Sequence, residues 1–175
     1  MASDGHWLHD YVRDIEDFPT PGVMFRDITP LLADSDGFGR AVNELGSRFD
    51  DAPADRVLGM EARGFIIAAP IAYRNGAGFI PVRKAGKLPW QVIREEYLLE
   101  YGSDKLEVHR DAIFPGERIL VIDDVLATGG TAAATVRLVE ALKGVVVGIG
   151  VLIELEDLGG RARLAGHRVE SLARY

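Results

Sequence analysis

The chain has 175 residues, enough to bury a substantial core within one domain, and its 47% apolar and 27% charged residues are ordinary for a soluble globular enzyme. Twenty basic against twenty-seven acidic residues leave a formal charge of −7, which argues against a dedicated nucleic-acid binder, whose phosphate contacts need a basic surface. There is no cysteine, so disulfides and thiolate metal sites are excluded.

The first residues, MASDGHWLHD, lack the basic region and apolar run of a secretory signal, and no run approaches the length of a membrane span. A cytoplasmic location is expected, with neither membrane nor nucleic acid as partner. Residues 6–16 place Trp7, Leu8, Tyr11, Val12 and Ile15 at helical spacing, which predicts a helix. DFPTPG (17–22) breaks it with two prolines and a glycine. Residues 35–50 predict a second helix, with Ser35 or Asp36 as cap and Phe38, Val42, Leu45 and Phe49 on one face.

From residue 56 onward, strand and helix alternate. RVLGM (56–60) predicts a strand, Gly64 to Tyr73 an apolar helix ending at Asn75-Gly76, and GFIPVR (78–83) the next strand. ILVID (119–123) predicts a third strand, 131–143 a helix, and VVVGIGVLIE (145–154) a long strand of almost unbroken apolar residues. Such runs, separated by helices, predict an α/β fold with a parallel-sheet core covered on both faces. Ligands in these folds bind outside the carboxyl ends of the strands, where Asp123 and Asp124 fall. Residues 84–118 interrupt the rhythm. QVIREEYLL and DKLEVHR have strand-like composition around Tyr-Gly-Ser, which reads as an antiparallel excursion, either a lid or a surface hairpin.

IDDVLATGGT (122–131) carries the clearest chemistry. Two glycines let backbone amides approach an anion, two threonines add hydroxyl donors, and the following helix contributes its positive N-terminal end. No lysine follows the glycines, so the loop is not of the Walker type. Two adjacent carboxylates repel each other and resist desolvation unless hydroxyls or a cation meet them. Acids beside a phosphate cradle suit the vicinal hydroxyls of a sugar, and the joint reading is a ribose 5-phosphate site. A purely structural α/β module leaves the acid pair unexplained.

This stretch resembles the phosphoribosyl-diphosphate signature of type I phosphoribosyltransferases. DFPTPGVMFRDITPLL (17–32), GMEARGF (59–65), RKAGKLP (83–89) and YLLEYG (97–102) resemble, in order, segments of the adenine phosphoribosyltransferase family, and the similarity runs from Asp17 to Glu156. The resemblance implies that Ala127, Thr128, Gly129, Gly130 and Thr131 bind the 5-phosphate and that Asp123 and Asp124 bind the ribose. It places Glu61, Ala62, Arg63, Gly64, Lys84, Lys87 and Tyr101 about the diphosphate, although Ala85 stands where relatives often carry a basic residue or proline. Glu100 is implied as general acid/base and Asp123 and Asp124 as its catalytic companions. Met24, Phe25, Arg26 and Leu155 would form the adenine pocket, with the backbone at Met24 and the side chain of Arg26 reading the base edge.

The implied reaction joins adenine N9 to the 5-phosphoribosyl group of 5-phosphoribosyl 1-diphosphate, giving AMP and diphosphate. The implied cofactor is Mg²⁺, held mainly by the substrate rather than by dedicated protein ligands. A small hood from about 1–34 and 154–175, a lid over about 84–105, and a homodimer are also implied. Two rival functions are weighed against this one. Transfer to hypoxanthine, guanine or xanthine differs by only a few hydrogen bonds. A nucleic-acid regulator that keeps the fold without catalysis would want a basic face or an added helix-turn-helix, and the chain has neither.

Overall fold

The computed structural model describes residues 6–98 and 103–175. The chain opens with the short helix α1 (His6–His9), the paired strands β1 (Arg13–Ile15) and β2 (Phe25–Asp27), and helices α2 (Thr29–Ala33) and α3 (Ser35–Ser47). Then follow β3 (Arg56–Met60), α4 (Arg63–Arg74), β4 (Gly78–Lys84), β5 (Val92–Leu98), β6 (Ser103–His109), β7 (Arg118–Leu126), α5 (Gly130–Ala141), β8 (Val145–Glu154) and β9 (Val169–Arg174).

Among the described residues, seven strands form one sheet in the order β5–β6–β4–β3–β7–β8–β9. From β4 to β9 neighbouring strands run parallel, and β5 and β6 extend the sheet antiparallel beside β4. Alternation along each central strand feeds two cores. Leu58, Met60, Ile119, Val121, Ile149 and Val151 face α5, while Val57, Leu120, Ile122 and Leu152 face α3 and α4. Both faces are therefore apolar, which is why VVVGIGVLIE reads as an unbroken run. β8 spans the predicted 145–154.

Three expectations need correction. The helix predicted over 6–16 stops at His9, because Arg13 to Ile15 pair with Phe25 to Asp27 instead, with Arg13–Asp27 and Arg26–Asp14 ion pairs across the ladder. A single turn of helix is a weak competitor for such a ladder. The cap of α3 is neither Ser35 nor Asp36. Asp34, in extended backbone, accepts the Gly37 N–H at 2.7 Å. Finally, β7 continues to Leu126, so the two acids lie inside the strand rather than beyond its end.

The 84–118 excursion is the β5–β6 hairpin, with β5 packed against α5 and Arg137 Nε 2.9 Å from Glu95 Oε2. At the other edge, the C-terminus returns to the N-terminal segment. Tyr175 packs against His9 at 4.4 Å between centroids and under the Arg26 guanidinium at 4.2 Å.

Candidate active site

Two cavities meet at the carboxyl end of β7, one on each side of the acid pair. Asp123 and Asp124 stand where the two cavities adjoin. Asp123 lines a small cavity of about 70 Å³ with Val125 through Ala132 and Val151. Asp124 lines a larger one of about 310 Å³ with Val23, Met24, Phe25, Arg26, Arg63, Val125, Ala127, Leu155 and Leu158. Val125 and Ala127 belong to both. The structure thus joins the predicted phosphate loop and the predicted base residues around the predicted ribose acids.

The small cavity is the inside of the 127–131 loop. Gly129 has φ +78 as N-cap of α5, and Gly130 begins the helix, so backbone N–H groups and the positive helix end face the same space. Burial, and secondarily the neighbouring Asp124 charge, push the Asp123 carboxyl well above its ordinary range. Asp123 Oδ1 accepts the Asp124 N–H at 2.9 Å. A Cβ on Gly64 would lie 2.7 Å from Asp123 Oδ1, so only glycine lets the start of α4 approach this acid so closely.

The other side of the cleft is the turn between β3 and α4. Glu61 and Ala62 are joined by a cis peptide, and Arg63 is the first residue of α4. Arg63 Nε lies 2.7 Å from Asp124 Oδ2, as an ion pair rather than an aligned hydrogen bond, and its guanidinium carbon sits 5.0 Å over the Phe25 ring. Arg63 therefore touches both Asp124 and the aromatic wall of the larger cavity.

Glu61 has a different task from its loop neighbours. Its carboxylate accepts from Arg83 Nε at 3.2 Å and from the Lys84 N–H at 3.0 Å. Burial pushes its carboxyl up, but these donors and the Lys87 charge outweigh it and hold Glu61 below the usual range. The side chain ties the loop to β4. Arg83 in turn donates to the Lys87 carbonyl at 3.1 Å, shaping the 84–87 turn. Lys84 Nζ lies 3.0 Å from Asp104 Oδ2, and this partner raises its pKa above the usual value. Lys87 is exposed. Tyr97 of β5 is buried, which raises its pKa against a smaller lowering effect of the Thr131 side chain, and its hydroxyl lies 3.5 Å from Asp104 Oδ2, so the hairpin runs beside the 127–131 loop. Glu100 and Tyr101 lie outside the described residues.

In the larger cavity, Phe25 is flanked edge-on by Phe18 at 5.1 Å. Leu155 and Leu158 close the opposite wall. The Arg26 guanidinium is engaged by Asp14 and Tyr175. Its buried Nε has no hydrogen-bond partner among the described residues.

Sequence reasoning missed Val125, Leu158 and Gly160. A Cβ on Gly160 would fall 2.1 Å from the Ala127 carbonyl oxygen, so this backbone is flush against the phosphate loop. The Gly159-Gly160 pair was the available signal, since paired glycines mark a turn or a close backbone approach.

A strand-borne acid pair, a glycine loop at a helix start and an apolar slot on the far side define a phosphoribosyltransferase. Residues 32–168 match the phosphoribosyl transferase domain family. The adenine phosphoribosyltransferase of Acidothermus cellulolyticus is 51% identical over 99% of this chain and 98% of its own length. The crystal structure of the Thermoanaerobacter pseudethanolicus adenine phosphoribosyltransferase superposes with a TM-score of 0.95 at 45% identity, covering 98% of this chain and 99% of that one. The Saccharomyces cerevisiae enzyme, solved with adenine and an imino-altritol bisphosphate, gives 0.91 at 35% identity, covering 98% and 99%. The chain belongs to the adenine phosphoribosyltransferase family.

Proposed function

We infer that the protein transfers the 5-phosphoribosyl group of 5-phosphoribosyl 1-diphosphate to N9 of adenine, releasing AMP and diphosphate, a purine-salvage reaction. The observation that carries this reading is the pair of adjoining cavities on either side of Asp123 and Asp124. One has the size and donors for a phosphate, the other the size and apolar walls for a flat base.

In this reading Ala127 to Thr131 hold the 5-phosphate and the two acids hold the ribose hydroxyls. Their charge also opposes the positive charge that develops on the ribose ring as the diphosphate leaves. Ala62, Arg63 and Gly64 receive the diphosphate with Lys84 and Lys87, while Glu61 shapes that loop. Arg63 must release Asp124 as the substrate arrives. Phe25 and Leu155 sandwich the base, and the Met24 backbone reads its edge. Glu100 exchanges the proton with the imidazole edge of the purine, and Tyr101 packs beside the reacting centre.

The residues fit a substrate-held Mg²⁺. Among the described residues no three His, Cys, Asp or Glu side chains gather into a metal site, and the nearby oxygen donors are Asp123 and Asp124. That suits an ion that takes one or two carboxylates and keeps substrate oxygens and water. When bound, Mg²⁺ supplies charge neutralisation on the leaving diphosphate.

The chain is read as one domain, with 1–34 and 154–175 as a hood over the base pocket and 84–105 as a lid that excludes water. The packing of Tyr175 on His9 and Arg26 supports the hood. A homodimer is part of the same reading. Ile66 and Tyr73, seven residues apart on α4, and Phe79 on β4 are exposed apolar side chains, as a self-association face requires. A donor carrying both a phosphate and a diphosphate does not cross a bilayer unaided, so the protein is placed with it in the cytoplasm. No helix among the described residues is long and apolar enough to cross a membrane.

The test is direct. The protein is mixed with phosphoribosyl diphosphate, Mg²⁺ and each purine base in turn, and nucleotide formation is followed. Adenine should turn over fastest; no turnover with adenine, or faster turnover with guanine, rejects the reading. Glu100→Ala should lower turnover much more than phosphoribosyl-diphosphate affinity.

A further inference from the structure

Behind the phosphate loop lies an ion pair that touches neither cavity of the reaction site. Glu154 is the last residue of β8, stands beside Leu126 in the β7 register, and is only 4% exposed. Arg161 reaches back to it with both prongs, Nε to Oε1 at 2.7 Å and Nη2 to Oε2 at 2.5 Å. The third guanidinium nitrogen donates to the Val169 carbonyl at 2.8 Å, and Ser171 Oγ donates to Glu154 Oε2 at 2.9 Å. The segment that follows β8 is thus clamped to the ends of both β8 and β9.

Gly160, one residue before Arg161, is what the clamp holds in place. A Cβ on Gly129 would lie 2.4 Å from the Gly160 carbonyl oxygen, and a Cβ on Gly160 would lie 2.1 Å from that of Ala127 and 2.9 Å from the Gly129 nitrogen. The two backbones touch with no side chain between them. Leu164, at the end of the same turn, is buried in the core cluster with Ala132 of α5. An ion pair with one partner buried and the other 40% exposed is a poor way to add stability, because solvent screens it and well-packed apolar side chains serve as well or better. What a two-pronged carboxylate–guanidinium contact adds is a fixed geometry.

We propose that Glu154 and Arg161 are positioning residues for the 127–131 loop, acting through the Gly160 backbone to set where its amide groups point. This rests on reading that loop as the 5-phosphate cradle. The pair touches no substrate. Its effect should fall on the ligand part the loop holds, because a displacement of about 1 Å in a binding constellation costs on the order of 10²-fold.

The experiment compares Arg161→Gln, Arg161→Lys and Gly160→Ala with the loop variant Thr128→Val in the full chain. Ribose 5-phosphate and inorganic diphosphate are titrated separately by calorimetry, with thermal melting as the folding control. Arg161→Gln and Gly160→Ala should weaken ribose 5-phosphate by roughly 10- to 100-fold and leave diphosphate affinity within about twofold. Arg161→Lys keeps the charge but not the two-pronged bond, and should fall between. If Arg161→Gln does not fold, the other two variants carry the comparison. Unchanged ribose 5-phosphate affinity, or equal loss of both ligands, overturns the proposal. Loss in Thr128→Val without loss in the Arg161 and Gly160 variants refutes the brace and leaves the cradle standing. No loss in Thr128→Val removes the cradle and the proposal with it.

Discussion

Arg63 Nε lies 2.7 Å from Asp124 Oδ2, joining the turn after β3 to the acid on β7. The pair places a cation where a diphosphate would need one and an anion where ribose hydroxyls would need one, each holding the other until substrate arrives. Arg63→Ala should lower kcat/KM for phosphoribosyl diphosphate by roughly 10²- to 10³-fold, the range for loss of one charge-stabilising donor. Steady-state kinetics with phosphoribosyl diphosphate varied at saturating adenine measure it, and Arg63→Lys should recover part of the loss.

Asp123 carries a cost that substitution would reveal. Its folded pKa is raised by burial and by Asp124, so ionising it is harder in the folded chain than in the unfolded one. Below the unfolded value, about 3.9, both states are protonated and nothing is lost. As pH rises through the folded value, the penalty develops in full. Asp123→Asn should therefore melt higher than the parent at neutral pH, by about 2–4 °C for each kcal/mol relieved, with the difference vanishing in acid. Its turnover should fall at the same time. Melting curves at several pH values, paired with the activity assay, check both halves.

Glu154 should behave in the opposite sense. The Arg161 hydrogen bonds hold its carboxyl below the ordinary range against the opposing effect of burial. Stability from this pair is present above the unfolded glutamate value of about 4.3 and is lost as pH falls through the depressed folded one. In Glu154→Gln the acid limb of the melting-temperature profile should flatten relative to the parent. A parallel acid limb in both proteins would contradict the assignment.

Phe25 forms the aromatic wall of the larger cavity, and its removal should be felt by the base alone. Phe25→Ala is expected to raise the adenine KM about 2- to 10-fold, or roughly 0.5–1.5 kcal/mol of ring contact. The KM for phosphoribosyl diphosphate should hardly move. Initial rates with each substrate varied separate the two.

The apolar face of α4 and β4 predicts association. Tyr73 is 91% exposed and Ile66 45% exposed, which leaves large apolar surface in water if the chain stays single. Ile66→Asp combined with Tyr73→Asp should shift the sedimenting species from the dimer to the 19.1 kDa monomer. A wild-type protein that already sediments as a monomer would end this reading.

Much of the fold was legible because periodicity is local. β8 reads as an unbroken apolar run because both faces of the sheet are covered, and α3 and α5 show their buried stripes at helical spacing. Residues 6–16 misled because Tyr11, Val12 and Ile15 sit at helical spacing by coincidence, while the decisive partner, Phe25 to Asp27, lies ten residues away. The bonds of the Glu61 side chain to Arg83 and Lys84 are likewise beyond any local pattern.

Residues 122–131 carry a local chemistry readable without any fold: two acids, two glycines and two threonines within ten residues can cradle a phosphate beside sugar hydroxyls. Those requirements are met by residue type and short spacing, and short spacing survives folding. How the parts lie about one another is a matter of long-range packing. Asp123 lines one cavity and Asp124 the one adjoining it, and the sheet order brings Arg63, Phe25 and Gly160 to them from segments 60, 98 and 37 positions away from Asp123. Contacts over such distances are set by packing of whole elements, and no single stretch of the chain contains them.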